Sequence, residues 1–167
     1  MKLPFIKSYC IDTDALITLK TFYHKKEPAF KAIWEEIEKL IKEGNMFTIK
    51  FVEEEIKKYQ GKDDFLKKWI KARKKHFIIP VNADIWEAGQ KIMCEHPELL
   101  DQKKLANNEP EADPFLIALA YVKGSTIITQ ESKEKPNKIP TVASHYQIKC
   151  INLFEFFNEQ GLAFVKK

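Results

Sequence analysis

Short apolar runs alternate with stretches of helical periodicity along this chain. The apolar runs predict buried strands at residues 8–11, 46–49, 76–80, 125–129 and 148–151. Between them, apolar residues recur every three or four positions, as on one face of a helix. Strands that alternate with helices pair in parallel through right-handed crossovers. The sequence therefore predicts a three-layer α/β/α domain around a mostly parallel sheet of four to five strands.

The helical pattern is clearest at residues 30–41, where an apolar stripe ends at Gly44-Asn45. A helix is also predicted after the first strand, with Phe22 among its inward positions. Residues 98–112 have no clear period and are predicted to form a surface loop. The remaining predicted helices lie at 52–59, 65–70, 83–94, 113–123, 142–146 and 152–160.

The helix that begins near Asp113 is almost entirely apolar. Asp113 suits the N-cap, Pro114 the first helical position, and Lys123-Gly124 the end of the helix. One interpretation is that Asp113 only caps a buried helix. The alternative is that its carboxylate belongs to a site, and the neighbouring elements decide between the two.

Other acidic residues follow predicted strands. Asp12 and Asp14 come directly after strand 8–11, and Glu131 comes after strand 125–129. Because parallel strands end at one edge of a sheet, these carboxylates are expected to converge with Asp113. Converging carboxylates repel each other and favour a bound cation. Oxygen ligands without histidine or cysteine suit Mg²⁺ or Mn²⁺ better than zinc.

Composition predicts one domain covering residues 1–167, because the 167 residues are 44% hydrophobic, which is ample for one core. Cys10, Cys94 and Cys150 are odd in number and lack CxxC spacing. They are expected to be reduced core residues of a cytoplasmic protein. The N-terminus lacks the apolar core of a signal peptide, and no apolar run reaches the length of a membrane span.

Positive charge is concentrated between residues 57 and 75, although the net charge is only +4. Such a strip could follow a phosphate backbone, with Lys67, Lys68 and Lys71 as candidate RNA contacts. The alternative is a solvated lysine face on amphipathic helices. The cationic residues are Lys57, Lys58, Lys62, Lys67, Lys68, Lys71, Arg73, Lys74 and Lys75.

Taken together, these motifs resemble those of PIN domains of the VapC-like toxin type, and within them a poorly characterised group of stand-alone PIN-like proteins. The resemblance runs from about Tyr9 to Phe164. It rests on the acids that follow apolar strands or open helices, in their order along the chain. The matching segments are Asp12-Thr13-Asp14, 52–56, 112–120, Thr129-Gln130-Glu131 and 148–157.

The resemblance implies a metal-dependent endoribonuclease, the toxin of a toxin-antitoxin pair, with Mg²⁺ or Mn²⁺ held by carboxylates. It also implies an RNA substrate and a co-encoded antitoxin, and it leaves a homodimer open. The implied catalytic and metal-binding residues are Asp12, Glu55, Asp113 and Glu131, with Asp14, Thr13 and Thr129 around them.

The outer part of this site departs from the family pattern. Family members often carry Ser or Asn at the position of Asp14, and Asp at the position of Glu131. Glu53 and Glu54 leave the choice of Glu55 open, although Glu55 lies beside the predicted buried face of its helix. Thr13 and Thr129 could orient water or a carboxylate, but plain turn chemistry also explains Thr13.

Two other functions compete with the ribonuclease. Asp12-Thr13-Asp14 after a strand looks like the nucleophile and acid of haloacid-dehalogenase-type phosphohydrolases, but Leu16 stands where that family has a small hydroxyl residue. The other is a nucleic-acid-binding PIN-like module without catalytic activity, in which the acids only cap helices.

Overall fold

The computed structural model describes residues 6–61 and 63–162, and its centre is a five-stranded sheet with the order β3-β2-β1-β4-β5. All neighbouring strands are parallel, which confirms the predicted α/β/α class. The first strand therefore lies in the middle, where its carboxyl end has neighbours on both sides. The strands are β1 Tyr9–Ile11, β2 Met46–Ile49, β3 Ile78–Ile79, β4 Thr126–Ile128 and β5 Cys150–Ile151.

Helices connect the strands, and two short 3₁₀ turns lie at Pro28–Phe30 and Pro97–Leu99. In the described residues, the helices are α1 Thr13–Phe22, α2 Lys31–Lys42, α3 Lys50–Lys58, α4 Phe65–Phe77, α5 Ala83–Glu95, α6 Gln102–Ala106, α7 Ala112–Lys123, α8 Ile139–His145 and α9 Leu153–Glu159.

Helices cover both faces of the sheet. Successive residues of a strand point to opposite faces. Tyr9 packs edge-on against Phe156 of α9, with ring centroids 5.2 Å apart, whereas Cys10 lies against the Leu116 carbonyl of α7. Helices α7 and α9 are thus on opposite sides of β1, and the core continues into both layers.

Helix α7 is the central helix of its layer. Residues Leu116 to Ala120 are fully buried, and Phe115 packs against α5 at Gly89. A Cβ at Gly89 would lie 2.4 Å from the Phe115 ring, so the close approach of the two helices requires glycine there. The helix ends at Gly124, whose φ of +64° is the left-handed conformation predicted by the Lys123-Gly124 signal.

Several sequence predictions need correction. His76 and Phe77 belong to the last turn of α4, so β3 is shorter than the predicted 76–80 strand. Residues 98–112 are not wholly a loop, because Asp101 accepts the Lys103 and Lys104 N–H groups and starts α6. Phe22 and Cys94 were both predicted to be core residues and are exposed.

The three cysteines are free, and Cys10 is buried whereas Cys150 is half-buried. Across 6–61 and 63–162, no helix is long and apolar enough to cross a membrane. Lys62 of the basic segment and Phe164 at the end of the PIN resemblance lie outside the described residues.

Candidate active site at the carboxyl edge of the sheet

Asp12 lies at the centre of the edge, directly after β1. Its backbone N–H donates to the Ile128 carbonyl, which places it beside the end of β4. Its carboxylate caps α1, with Oδ1 accepting the Thr13 N–H at 2.7 Å and Oδ2 accepting the Thr129 hydroxyl at 3.0 Å. The side chain is buried. Burial raises the pKa of Asp12 well above its ordinary value, and the charges of Asp14, Asp113 and Glu131 raise this pKa further.

Thr129 connects the acids of α1 to the loop after β4. Its hydroxyl lies 3.0 Å from Asp12 Oδ2 and 3.3 Å from Asp14 Oδ1, and it accepts the Glu131 N–H at 3.2 Å. Asp14 also accepts the Gln130 N–H at 3.0 Å. A hydroxyl has a single proton to donate, so the two aspartates share it. Thr129 therefore fixes where the carboxylates point.

The sequence predicted Asp113 as the N-cap of α7, and this prediction is wrong. Glu111 occupies the cap position, and Asp113 lies in the first turn. Within the described residues, the Asp113 carboxylate makes no hydrogen bond or ion pair. Burial raises its pKa to about 7, with Glu131 and Glu55 adding to the rise. A carboxylate that is desolvated next to other acids is costly, so helix capping does not account for it.

Glu55 is the member of the 53–55 acidic run that reaches this edge. Its carboxylate accepts the Thr13 hydroxyl and the Lys104 ammonium, both at 2.5 Å. Residues two apart on a helix point about 200° apart, and Glu53 accordingly faces away from the edge. Glu53 is buried among Lys50, Lys57 and Lys74, at distances of 2.9 to 3.0 Å.

Glu131 has a structural role as well as a place at the edge. It accepts the Ile139 N–H at 2.8 Å, at the start of α8, and pairs with Lys138 at 3.0 Å. One carboxylate thereby satisfies a free N–H group of the helix and holds the 131–138 loop against it. Glu131 is therefore anchored to the start of α8 by direct contacts.

The five acids of this edge, here called the acidic site, are Asp12, Asp14, Glu55, Asp113 and Glu131. All their donor atoms are carboxylate oxygens, the chemistry that Mg²⁺ and Mn²⁺ prefer. As the side chains stand, no group of three or more His, Cys, Asp or Glu residues in the described chain is arranged to hold a metal ion. The donor chemistry fits such an ion, and side-chain rotation would be needed to bind it.

Lys104 and Lys138 neutralise the outer acids, and sequence reasoning missed both. Lys104 binds Glu55, and Lys138 binds Glu131. Neither has a sequence signal, because Lys104 comes from the aperiodic 98–112 segment and Lys138 from a polar loop. The central pair, Asp12 and Asp113, lacks such a partner in the described part of the chain.

Most of the basic segment lies away from the acidic site, although Lys58 lies on the same side of α3 as Glu55. The lysine groove, a cavity of about 460 Å³ between α3 and α4, contains Glu53 and is therefore on the side of α3 away from Glu55. Ile56 and Ile70 also line it. The structure thus separates the predicted RNA-contacting lysines from the acidic site. The lysines that line the groove are Lys57, Lys67, Lys68, Lys71 and Lys74.

Comparison with known proteins gives one family match and a distant structural likeness. A family model described as "Domain of unknown function (DUF4411)" matches residues 9–164. No curated protein matches the chain. Among solved structures, VapBC2 from Rickettsia felis, bound to a DNA fragment from its promoter, is 14% identical. The match covers 86% of this chain and 97% of that one, with a TM-score of 0.49.

Proposed function

Because the chain belongs to the DUF4411 family, whose description names no function, we propose from the site itself that it is a Mg²⁺- or Mn²⁺-dependent endoribonuclease. The observation that carries the proposal is the pair Asp12 and Asp113. Both are desolvated at the sheet edge beside further acids, and neither forms an ion pair within the described residues; the charge of Lys104 offsets the rise in the pKa of Asp113 only in part. A protein keeps such a destabilising arrangement where a cation or a reaction requires it.

In this proposal, the acids of the edge bind the ion and the two threonines orient the acids. Asp12, Asp113, Glu55 and Glu131 would hold the ion. When bound, Mg²⁺ or Mn²⁺ supplies charge neutralisation at the attacked phosphate and lowers the pKa of a bound water. Thr129 fixes the direction of the Asp12 and Asp14 carboxylates, and Thr13 does the same for Glu55. Loss of such an outer partner typically lowers metal affinity or activity ~10- to 100-fold.

Lys67, Lys68 and Lys71 bind the RNA backbone in this proposal, at a distance from the cleaved bond. They line the lysine groove and are partly or fully exposed. Lys67 makes a long contact with Asp64 at 3.9 Å, whereas Lys57 and Lys74 are paired with the buried Glu53 at 3.0 Å. The three lysines would add affinity, and cleavage itself would remain the task of the acidic site.

A protein partner also belongs to this proposal. The resemblance to VapC-like toxins implies a co-encoded antitoxin and leaves a homodimer open. An adjacent gene for a small DNA-binding protein that co-purifies with this chain would support the toxin context. Purification of the chain alone, with no such neighbouring gene, would contradict it while leaving the ribonuclease proposal standing.

One observation favours a second candidate, an RNA-binding module without catalytic activity. Lys104 and Lys138 already neutralise Glu55 and Glu131, so two of the carboxylates need no metal ion. In this alternative, the edge would bind RNA through its lysines, and EDTA would have no effect on binding or on stability.

The deciding experiment measures cleavage of a labelled RNA by purified protein in Mn²⁺, in Mg²⁺ and in EDTA. The proposal predicts cleavage with either ion, none in EDTA, and none for Asp12→Asn. Asp84→Asn is a matched control, because Asp84 is an exposed acid at the start of α5. Cleavage that persists in EDTA would contradict the metal mechanism. Hydrolysis of aryl phosphates without RNA cleavage would instead indicate the haloacid-dehalogenase-type phosphohydrolase.

A further inference from the structure

Two cavities adjoin the acidic site, one on each flank. One, of about 440 Å³, is lined by Thr129, Glu131 and polar residues of the following loop. The other, of about 340 Å³, includes Thr13 and Glu55 and lies between α1, α3 and the 104–110 segment. Because β1 lies between β2 and β4, the Asp12 carboxylate is between the two cavities. A chain crossing the site would pass from one cavity to the other.

The second cavity, here called the Tyr59 pocket, has an apolar wall. Ile17, Phe51 and Tyr59 supply this wall, and all three are partly exposed. A volume of about 340 Å³ is at the small end of ligand pockets. It suits one small planar group better than a helix or a duplex. Aromatic rings at such a site are the usual platforms for unpaired bases.

Both aromatic rings of the pocket lie against neighbouring parts of the chain. Phe51 packs edge-on against Phe115, with ring centroids 5.0 Å apart. Tyr59 lies against the backbone at Gly61, where a Cβ would come within 2.7 Å of the ring. The Tyr59 ring therefore lies over the backbone at Gly61, and Phe51 is the ring that aromatic packing holds in place. A ring held by packing loses little conformational entropy when a base stacks on it.

Charged groups at the rim of the pocket can bind the phosphate and the polar edge of the base. Lys58 pairs with Glu109 at 3.1 Å in an exposed contact, and Lys104 lies on the Glu55 side. The Lys58–Glu109 pair is exposed and therefore weak, so the Lys58 ammonium can exchange its carboxylate for a phosphate. Glu54 and Glu109 also line the rim, and their oxygens can accept the amino and imino N–H groups of a base.

We propose that the Tyr59 pocket binds one unpaired nucleobase of the RNA, next to the phosphodiester at the acidic site. The identity of the ligand as RNA rests on the proposed function, whereas the stacking role rests on the pocket itself. A base in a duplex is stacked and paired, so it cannot enter. The pocket thereby restricts the substrate to single-stranded or looped RNA.

The test measures binding rather than cleavage. Affinity for an unstructured 12-nucleotide RNA is measured by fluorescence anisotropy in EDTA, where the proposed nuclease is inactive. Tyr59→Ala should weaken binding roughly 5- to 150-fold, the equivalent of about 1–3 kcal/mol for one stacked base. Tyr59→Phe should bind within about twofold of wild type, because it keeps the ring.

Tyr121→Ala is the control, since Tyr121 is an exposed tyrosine near the end of α7, away from the acidic site. Equal binding by Tyr59→Ala and wild type would overturn the proposal, as would equal competition by a duplex of the same sequence. If Tyr59→Ala does not fold, photocrosslinking of the wild-type protein to 4-thiouridine RNA tests whether a base lies in the pocket. Adducts at Phe51 or Tyr59 would support the pocket, and adducts confined to the lysine groove would contradict it.

These outcomes are separable from those of the nuclease proposal. A Tyr59 effect on binding in a protein that never cleaves RNA would support the pocket and contradict the nuclease. Metal-dependent cleavage with no Tyr59 effect on RNA affinity would support the nuclease and contradict the pocket.

Discussion

Asp113→Asn should stabilise the metal-free protein while abolishing its proposed activity. Burial and neighbouring acids raise the pKa of Asp113 from 3.8 to about 7. The folded protein therefore holds this proton more tightly than the unfolded chain does. The resulting cost is absent below pH 3.8, grows as the pH rises towards 7, and is fully present above pH 7. Asparagine never carries the charge and escapes this cost.

The magnitude follows from the size of the pKa rise. About three units at about 1.4 kcal/mol per unit give an upper limit of ~4 kcal/mol. Solvent screening and the coupling of Asp113 to the other charges of the acidic site reduce this to about 1–3 kcal/mol. For a chain of this size, that corresponds to a rise in Tm of roughly 2–12 °C above pH 7.

Thermal unfolding in EDTA at pH 5, 7 and 8.5, followed by circular dichroism, measures the effect. The gain of Asp113→Asn over wild type should grow with pH. Asp84→Asn is the matched control, because Asp84 occupies the same position in the first turn of α5 but is exposed. It should lose about 0.3–1 kcal/mol of helix-dipole stabilisation. If Asp113→Asn is destabilised like the control at every pH, Asp113 is an ordinary helix-terminal acid and the reasoning is wrong.

Three further predictions concern metal, RNA and the outer acids. Millimolar Mn²⁺ should raise the Tm of wild type more than that of Asp12→Asn, since a ligand of the folded state stabilises it by mass action, and identical shifts would contradict metal binding at the acidic site. Replacing Lys67, Lys68 and Lys71 together with Gln should weaken RNA affinity and reduce the salt slope by about 0.7 per lost contact, without changing turnover at saturation. An unchanged salt slope would show that these three lysines only form a solvated helix face and do not contact RNA. Glu131→Gln should reduce cleavage less than Asp12→Asn, because glutamine can still accept the Ile139 N–H; equal losses would show that Glu131 is as central as Asp12.

The positions of the acids at the sheet edge could be predicted because topology alone determines them. Because β1 and β4 are parallel neighbours, the residues that follow them lie at the same edge of the sheet. Asp12 and Glu131 are such residues. The sequence left Glu53, Glu54 and Glu55 as alternatives, because Glu53 and Glu55 flank the buried face of Val52 and Ile56 on opposite sides. The contacts of Glu55 with Thr13 and Lys104 place this residue at the edge.

The parts that could not be predicted depend on contacts between distant segments. Glu111 rather than Asp113 occupies the cap position of α7, because the preceding segment turns so that Glu111 accepts the Asp101 N–H. Lys104 reaches Glu55 only because α6 forms, and a local cap at Asp101 starts α6 within an aperiodic stretch. Neither event leaves a periodic signal in the sequence.

The separation of the basic segment from the acidic site has the same origin. The lysines between residues 57 and 75 form one strip in the sequence, but α3 and α4 fold towards each other around Glu53. The three lysine partners of Glu53 lower its pKa to about 2, in spite of a burial that alone would raise it. The strip therefore includes a structural ion-pair cluster, which sequence composition alone cannot distinguish from a binding surface.

The central claim, that the acidic site holds a divalent cation, is tested most directly by affinity cleavage with Fe²⁺ in place of Mg²⁺ or Mn²⁺. Ascorbate and peroxide then produce radicals that cut the backbone near the ion, and mass spectrometry locates the cuts. The account predicts cuts near residues 12–14, 55, 113 and 129–131, suppressed by excess Mn²⁺ and absent in Asp12→Asn. Cuts that are absent from these segments, or that persist unchanged in Asp12→Asn, would contradict it.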